Sequence, residues 1–202
     1  MLIYDIEIKK AILKKGEAKQ EGVEYCGGWN DHANMGISVV CVYDCRTNRV
    51  RVFTDSNKEQ FWELADSRNL LIGFNNIGFD NKVLSACWGR SIPEDKCYDI
   101  LREIWAGLGF GTEFNYSTHA GYGLDSCCEV NFNTTKSGHG ALAPIDWQRG
   151  KIGDVIDYCL NDVQLTRQLL GKIVRDGYIR NPKQLKSIIE VKKPTAAKLK
   201  AF

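Results

Sequence analysis

The first strand that the sequence predicts covers residues 2–8, LIYDIEI. Successive side chains of a strand point to opposite faces, so the apolar residues at positions 2, 4, 6 and 8 share one face and Asp5 and Glu7 share the other. Two carboxylates about 7 Å apart on a half-buried face repel each other and raise each other's pKa. A divalent cation between them would remove this cost. The alternative is an edge strand with a solvated acidic face.

Other segments of the chain also have the composition of strands. Residues 35–43 and 49–53 are rich in Val, Ile and aromatic residues and predict an antiparallel hairpin after the first strand. The apolar run at residues 70–74 is typical of a strand buried on both faces, and a short strand is expected at residues 96–99. Residues 9–34 have little periodicity, so we expect a long loop there.

Helices are predicted where apolar residues recur every three or four positions. The predicted ranges are 57–65, a segment that begins after Asn76, 100–106, 124–130 and 151–175. Asp80 falls in the first turn of the second helix, where a carboxylate suits the helix dipole. Tyr158 and Asp162 lie one turn apart on the last helix. Residues 107–123 are rich in glycine and aromatic residues and predict a loop, and residues 136–140 and 143–144 are expected to break regular structure.

Composition predicts a single domain without a membrane span. The chain has 202 residues, of which 44% are hydrophobic, and no run of eighteen apolar residues. Its start lacks the basic and apolar regions of a signal peptide, so we expect a cytoplasmic location. The eight cysteines show no C-x-x-C spacing and are expected to be reduced and mostly buried rather than zinc ligands. Three histidines without metal-ligand spacing are expected at the surface: His32, His119 and His139.

Charge is distributed unevenly along the chain. From Gly171 onward nine basic residues face two acidic ones, whereas the whole chain has a net charge of only +2. The remainder is therefore net negative, which predicts an acidic site with a basic flank. That flank either binds phosphates without sequence preference or is a solvated tail. Four aromatic residues of the 107–123 loop either stack on bases or tether the loop: Phe110, Phe114, Tyr116 and Tyr122.

Three motifs in this order resemble the exonuclease motifs of the DEDD 3′–5′ exonucleases. They are Asp5-x-Glu7 on the first strand, Gly73-Phe74-Asn75-x-x-x-Phe79-Asp80 at a strand-to-helix junction, and Tyr158-x-x-x-Asp162 on the last helix. The tyrosine is typical of the DEDDy branch, since the sister branch has a histidine where this chain has Asp157. The resemblance covers residues 2 to about 170 and extends to the exonuclease domain of family B DNA polymerases and its free-standing or helicase-linked bacterial relatives.

The resemblance implies an α/β, ribonuclease H-like fold. Its central mixed sheet would have three antiparallel strands first, then parallel strands, with helices on its sides. The exonuclease domain would cover residues 1–180, leaving residues 181–202 as a basic C-terminal extension. The implied activity is release of nucleotides from the 3′ end of single-stranded nucleic acid, with DNA favoured over RNA. The implied setting is the cytoplasm of a bacterial or phage-infected cell, with replication or repair proteins as partners and no membrane.

The resemblance also implies two divalent cations, Mg²⁺ or Mn²⁺, in the site. The implied ligands are Asp5, Glu7, Asp80 and Asp162. Hard oxygen ligands suit these cations, and two ions can stabilise both the attacking water and the leaving 3′ oxygen. Tyr158 would orient that water. Three residues are expected at the substrate: Ile6, Asn75 and Phe79. Asn75 alternatively holds the turn of the second motif or caps the next helix.

Two other functions are compatible with these motifs. One is a non-catalytic nucleic-acid-binding module, which the presence of all four candidate carboxylates disfavours. The other is a structure-selective endonuclease of the ribonuclease H type, which would cut a circle that has no end. Two further acids need a structural interpretation: we expect Asp99 in a loop or at a helix cap, and Asp125 in a structural role.

Overall fold

The computed structural model describes residues 1–134 and 140–195. The strands in these ranges are β1 (Leu2–Ile8), β2 (Ala11–Ile12), β3 (Tyr25–Cys26), β4 (Ile37–Asp44), β5 (Arg49–Phe53), β6 (Leu71–Gly73), β7 (Cys97–Asp99), β8 (Tyr178–Arg180) and β9 (Ile188–Glu190). The helices are α1 (His32–Met35), α2 (Lys58–Asp66), α3 (Asp80–Trp88), α4 (Ile100–Gly107), α5 (Tyr116–His119), α6 (Leu124–Phe132), α7 (Ala143–Gln148) and α8 (Ile152–Asp176). A short 3₁₀ turn covers Glu94–Lys96.

The central sheet has the mixed topology that the motifs predict. Within the described ranges it contains five strands in the order β5-β4-β1-β6-β7. The pairs β1–β4 and β4–β5 are antiparallel, and the pairs β1–β6 and β6–β7 are parallel. Because β1 is the middle strand, the alternative of a solvated edge strand for residues 2–8 is wrong.

Each face of the sheet is covered by helices over its own apolar core. Leu2, Tyr4, Ile6 and Ile8 belong to the core under α2 and α3, as the alternation of residues 2–8 predicts. Ile3 belongs to the opposite core, which contains much of α8, α4 and α6. Helix α8 packs directly on β1 and β4. The face of β1 that carries its two acids therefore lies beneath the last long helix.

Three segments that we expected to be irregular contain regular structure, and one of them is the predicted 107–123 loop, which includes the short helix α5. Residues 9–34 include the parallel pair β2–β3 and helix α1, which are too short to leave a periodic pattern. Helix α7 begins at Ala143, at the predicted 143–144 break, because proline fits in the first turn of a helix, where the backbone N–H groups have no acceptor within the helix. Of the predicted 136–140 break, residues 136–139 lie outside the described ranges.

The hairpin of β8 and β9 joins the end of the described chain to the domain core. Ile179 and Ile189 face each other across the hairpin and are buried in the core that contains α8. A Cβ atom on Gly107 would overlap the carbonyl oxygen of Glu190, so glycine is required where α4 meets β9. The expected domain boundary at residue 180 falls inside this hairpin.

The histidines differ from the expectation that all lie at the surface. His119 is buried, its ring centre is 4.6 Å from that of Trp105, and its Nε2 lies 2.9 Å from the carbonyl oxygen of Gly111. The glycine-rich sequence around His119 does not predict this packing, because Trp105 lies on α4 and Gly111 lies in the loop after it. His32 is half-buried, and His139 lies outside the described residues.

Most cysteines are buried, as predicted: Cys41, Cys97, Cys127, Cys128 and Cys159. The remaining three are partly buried. None of the described helices has the length and apolar character needed to cross a membrane.

Candidate active site

One cavity of about 340 Å³ is lined by every residue that the sequence predicts for the site. These residues are Asp5, Ile6, Glu7, Asn75, Phe79, Asp80, Tyr158 and Asp162. They come from β1, from the turn between β6 and α3, and from the first half of α8. Three motifs separated by more than sixty residues in sequence therefore meet at one place, while the roles of the individual residues stay predictions.

The centre of the cavity is a cluster of three acids, Asp5, Glu7 and Asp162. Each offers a ligand atom, and these atoms lie within 4.8 Å of one another. Glu7 and Asp162 are buried and Asp5 is half-buried. Like charges at such a spacing repel by a few kcal/mol per pair, on the order of 3 kcal/mol at an effective dielectric constant of 20. A divalent cation among these oxygens would offset the repulsion, and carboxylate oxygens are the ligands that Mg²⁺ prefers.

Helix α8 places Tyr158 and Asp162 above β1 because its apolar side faces the sheet. Val155, Cys159 and Val163 are buried on that side. The thiol of Cys159 lies 3.4 Å from the carbonyl oxygen of Asp5 and 3.5 Å from its Oδ2. Burial raises the pKa of this thiol well above its usual value, so the thiol stays neutral and donates to Asp5.

Asp80 lies in the same cavity but is not part of the three-acid cluster. It is buried at the first residue of α3, and its Oδ1 accepts a hydrogen bond from the Ile6 N–H at 3.2 Å. Burial raises the pKa of Asp80 to about 7, and the charges of Asp99 and Asp162 also raise it. The structure thus divides the four expected ligands into a cluster of three and one carboxylate that is anchored to β1.

The turn before α3 is held by the carboxylate of Asp99. Its Oδ1 accepts from the Asn75 N–H at 2.9 Å and its Oδ2 from the Ile77 N–H at 3.0 Å. Oδ1 also accepts from the N–H of Leu101, so Asp99 caps α4, as expected. Asn75 has a φ of 65°, a left-handed conformation that asparagine tolerates better than most residues. Asn75 does not cap α3, because Phe79 occupies that position.

Loss of the Asp99 carboxylate should destabilise the domain. In an Asp99→Ala protein four backbone N–H groups lose their acceptor, and we expect the free energy of unfolding to fall by about 3 kcal/mol. Urea unfolding followed by circular dichroism measures this change. The matched control is Asp157→Ala at an exposed position of α8, with an expected change below about 0.5 kcal/mol. Equal effects of the two substitutions would contradict this account of the turn.

The 9–34 segment also lines the cavity, which the sequence did not predict. It contributes Ile12, Lys14 and Trp29. Trp29 is 66% exposed, and its ring centre is 6.0 Å from that of Phe79. The signal in the sequence was an aromatic residue directly after two glycines in a polar segment, which is typical of a presented side chain. Among the described residues that line the cavity, Lys14 is the only basic one.

The aromatic loop and the described part of the basic flank, residues 171–195, do not line the acidic cavity, and Lys198 and Lys200 of the flank lie outside the described residues. Phe110 and Tyr122 pack against the core, so these two tether the loop, whereas Phe114 and Tyr116 are exposed. None of the four lines the acidic cavity. In the flank, Lys172 and Arg175 form ion pairs with Asp176. Asp125 is exposed in the first turn of α6, away from the cavity.

Comparison with solved structures identifies the architecture. The chain is similar to the family B DNA polymerase from the hyperthermophilic archaeon Pyrobaculum calidifontis, with a TM-score of 0.57 and 16% sequence identity, over 86% of this chain and 24% of the polymerase chain. The ribonuclease H-like fold is confirmed. At this identity the similarity concerns the fold alone, and the chain spans about a quarter of the polymerase's length.

The sequence matches no protein-family model and no curated protein. The residues of the cavity and their geometry therefore carry the functional argument.

Proposed function

We propose that this protein is a metal-dependent 3′–5′ exonuclease that acts on single-stranded nucleic acid, with DNA as the favoured substrate, in the cytoplasm. One observation carries the proposal: the acids of the three motifs share a single cavity with Tyr158. Clustered, buried carboxylates in a cleft are costly to the folded state and are therefore typical of functional sites.

In this proposal Asp5, Glu7 and Asp162 hold one divalent cation, and Asp80 supplies a ligand for a second. The fit rests on the donor set, since the three clustered acids offer hard oxygen atoms within 4.8 Å of one another. Once bound, Mg²⁺ or Mn²⁺ would lower the pKa of a coordinated water and neutralise negative charge on the phosphate. The hydrogen bond from the Ile6 N–H fixes Asp80 in the orientation that faces the cavity.

The remaining residues of the cavity would position the strand and the water. The hydroxyl of Tyr158 lies at the Gly140 wall, where even a Cβ atom on residue 140 would come within 3.0 Å of it. From there the hydroxyl can donate a hydrogen bond to a water or accept one from it. Either hydrogen bond would orient the water for in-line attack. Phe79 offers apolar surface to the terminal nucleotide and Asn75 offers its amide, while Ile6 lines the cavity between the two acids of β1.

Cleavage of linear and of circular single strands distinguishes this activity from that of an endonuclease. We expect a linear single strand to be degraded with Mg²⁺ and to survive with EDTA or with a blocked 3′ hydroxyl. Covalently closed single-stranded circles should survive as well. Efficient cutting of the circle would favour the endonuclease, and binding of the linear strand without any cleavage under all metal conditions would favour the binding module.

Trp29 gives this proposal a further test. Because its exposed ring lies beside Phe79 at the cavity, we expect it to stack on a base of the substrate. Trp29→Ala should raise KM for a single strand roughly 10-fold while leaving kcat within about 3-fold, since stacking on one aromatic ring contributes about 1–3 kcal/mol. The matched control is Tyr116→Ala, which also removes an exposed aromatic ring but one that does not line the cavity. Equal KM values for Trp29→Ala and the wild type would remove Trp29 from substrate binding.

A further inference from the structure

A second cavity adjoins the acidic one. It has a volume of about 540 Å³ and lies between the 11–25 segment and helix α7. Three residues line both cavities: Ile12, Lys14 and Ala141. Since the two cavities share these wall residues, they adjoin at Lys14, and the two together are called the groove below.

The charge along the groove changes at Lys14. Four carboxylates line the acidic cavity, whereas basic side chains lie around the second cavity. Lys19 lies 5.8 Å from the centre of the Tyr25 ring, which lines the second cavity, and Arg149 donates a hydrogen bond to Gln20 at its rim at 3.2 Å. Glu17 is the one described carboxylate in the wall of the second cavity. Lys14 itself is exposed and forms no ion pair with any residue of the described ranges.

The wall of this groove is held in place by the side chain of Gln148 at the end of α7. Its Nε2 donates to the carbonyl oxygens of Lys9 at 2.8 Å and Glu24 at 3.1 Å, and its Oε1 accepts from the Glu24 N–H at 2.7 Å. One side chain thus ties both ends of the 9–24 segment to the helix opposite. A preformed wall loses little conformational entropy when a ligand binds.

We propose that this groove binds the phosphodiester chain on the 5′ side of the scissile bond, with Lys14 at the first phosphate outside the three-acid cluster. This inference rests on the proposed exonuclease function and extends it, because it assigns the 9–34 segment and α7 as the path of the substrate strand. Beyond Lys14, the strand passes Tyr25 and lies within reach of Lys19 and Arg149.

The ligand class follows from the arrangement of charge. A small anion would be held by the cations alone and would gain nothing from the adjoining acids. A strand with its 3′ end at bound cations and its upstream phosphates beside Lys14, Lys19 and Arg149 uses both parts of the groove, and the ring of Tyr25 offers a stacking surface for a base. The groove therefore fits a single-stranded polynucleotide that is longer than a dinucleotide.

Binding of short and long strands tests this path. We would measure the affinity of 5′-labelled thymidine trinucleotide and dodecanucleotide by fluorescence anisotropy over a range of salt, with Ca²⁺ in place of Mg²⁺ to slow cleavage. The variant is the double substitution Lys19→Ala and Arg149→Ala, whose residues do not line the acidic cavity. The matched control is Arg49→Ala with Arg51→Ala, two exposed arginines of the edge strand β5.

We expect the wild type to bind the longer strand more tightly. The Lys19 and Arg149 variant should lose most of that advantage. The slope of log affinity against log salt should become shallower by about 1.4, since each of the two lost phosphate contacts contributes about 0.7 for single strands. Its affinity for the trinucleotide and the behaviour of the β5 control should stay unchanged. A dodecanucleotide affinity and salt slope equal to those of the wild type would overturn the path alone, and so would an equal loss in the β5 control. Absence of any single-strand binding by the wild type would overturn the exonuclease proposal together with it.

Discussion

Replacement of Asp162 by asparagine should lower the rate of cleavage by about 1000-fold or more. Asp162 shares the three-acid cluster with Asp5 and Glu7, and asparagine keeps its shape while it removes one negative charge. The cations that this cluster would hold contribute several kcal/mol of charge stabilisation in the transition state, and each 1.4 kcal/mol corresponds to about a tenfold change in rate. Single-turnover cleavage of a 5′-labelled strand at several Mg²⁺ concentrations measures the effect.

The matched control lies on the same helix. Asp157 is an exposed aspartate of α8, five residues before Asp162 and outside the cavity, so Asp157→Asn changes the net charge equally without touching the cluster. We expect its rate to stay within about twofold of the wild type. Isothermal titration with Mn²⁺ adds a readout that does not depend on activity, since Asp162→Asn should weaken binding of the cation and Asp157→Asn should not. Comparable rates for the Asp162→Asn protein and the wild type would remove this residue from the site.

Substitution of Tyr158 by phenylalanine should act differently. Phenylalanine retains the buried ring on α8 and removes only the hydroxyl that lies at the Gly140 wall of the cavity. If the hydroxyl orients the attacking water, the chemical step should slow by roughly 10- to 1000-fold, the range expected for loss of one positioning group. Binding of the cation and of the strand should stay at the wild-type level.

Single-turnover rates at saturating Mg²⁺ distinguish this role from simple packing. A ring that only packs against the sheet loses nothing when its hydroxyl is removed. A Tyr158→Phe rate within about twofold of the wild type would therefore exclude the tyrosine from the mechanism, while the three acids would still support the proposed activity. Tyr43→Phe is a useful control, since it also removes one tyrosine hydroxyl and that residue does not line the cavity.

Much of the fold could be predicted because its strongest signals are local. The alternation in residues 2–8 placed the acids of β1 on the face opposite Tyr4 and Ile6, and the two cores confirm that division. The apolar run near residue 72 and the spacing on α8 predicted a buried parallel strand and a long helix, which the structure contains. The three motifs then predicted which ends of these elements meet.

The rest depended on contacts between distant residues. Gln148 on α7 holds the backbone of Lys9 and Glu24, and no pattern within residues 9–34 predicts a contact with Gln148. The placement of Lys14 and Trp29 at the cavity follows from those contacts. For Asp99, only part of the role could be predicted from the sequence. Its role as a helix cap is local, whereas its hydrogen bonds with the N–H groups of Asn75 and Ile77 require β6 and β7 to lie side by side.

The most direct test of the central claim follows one strand labelled at its 5′ end through a time course with Mg²⁺. The account predicts a ladder of products that shorten one nucleotide at a time from the 3′ end, release of mononucleotides, no products with EDTA, and no ladder from the Asp162→Asn protein. Immediate appearance of short labelled fragments from internal cuts, or a label released first as a mononucleotide, would contradict it.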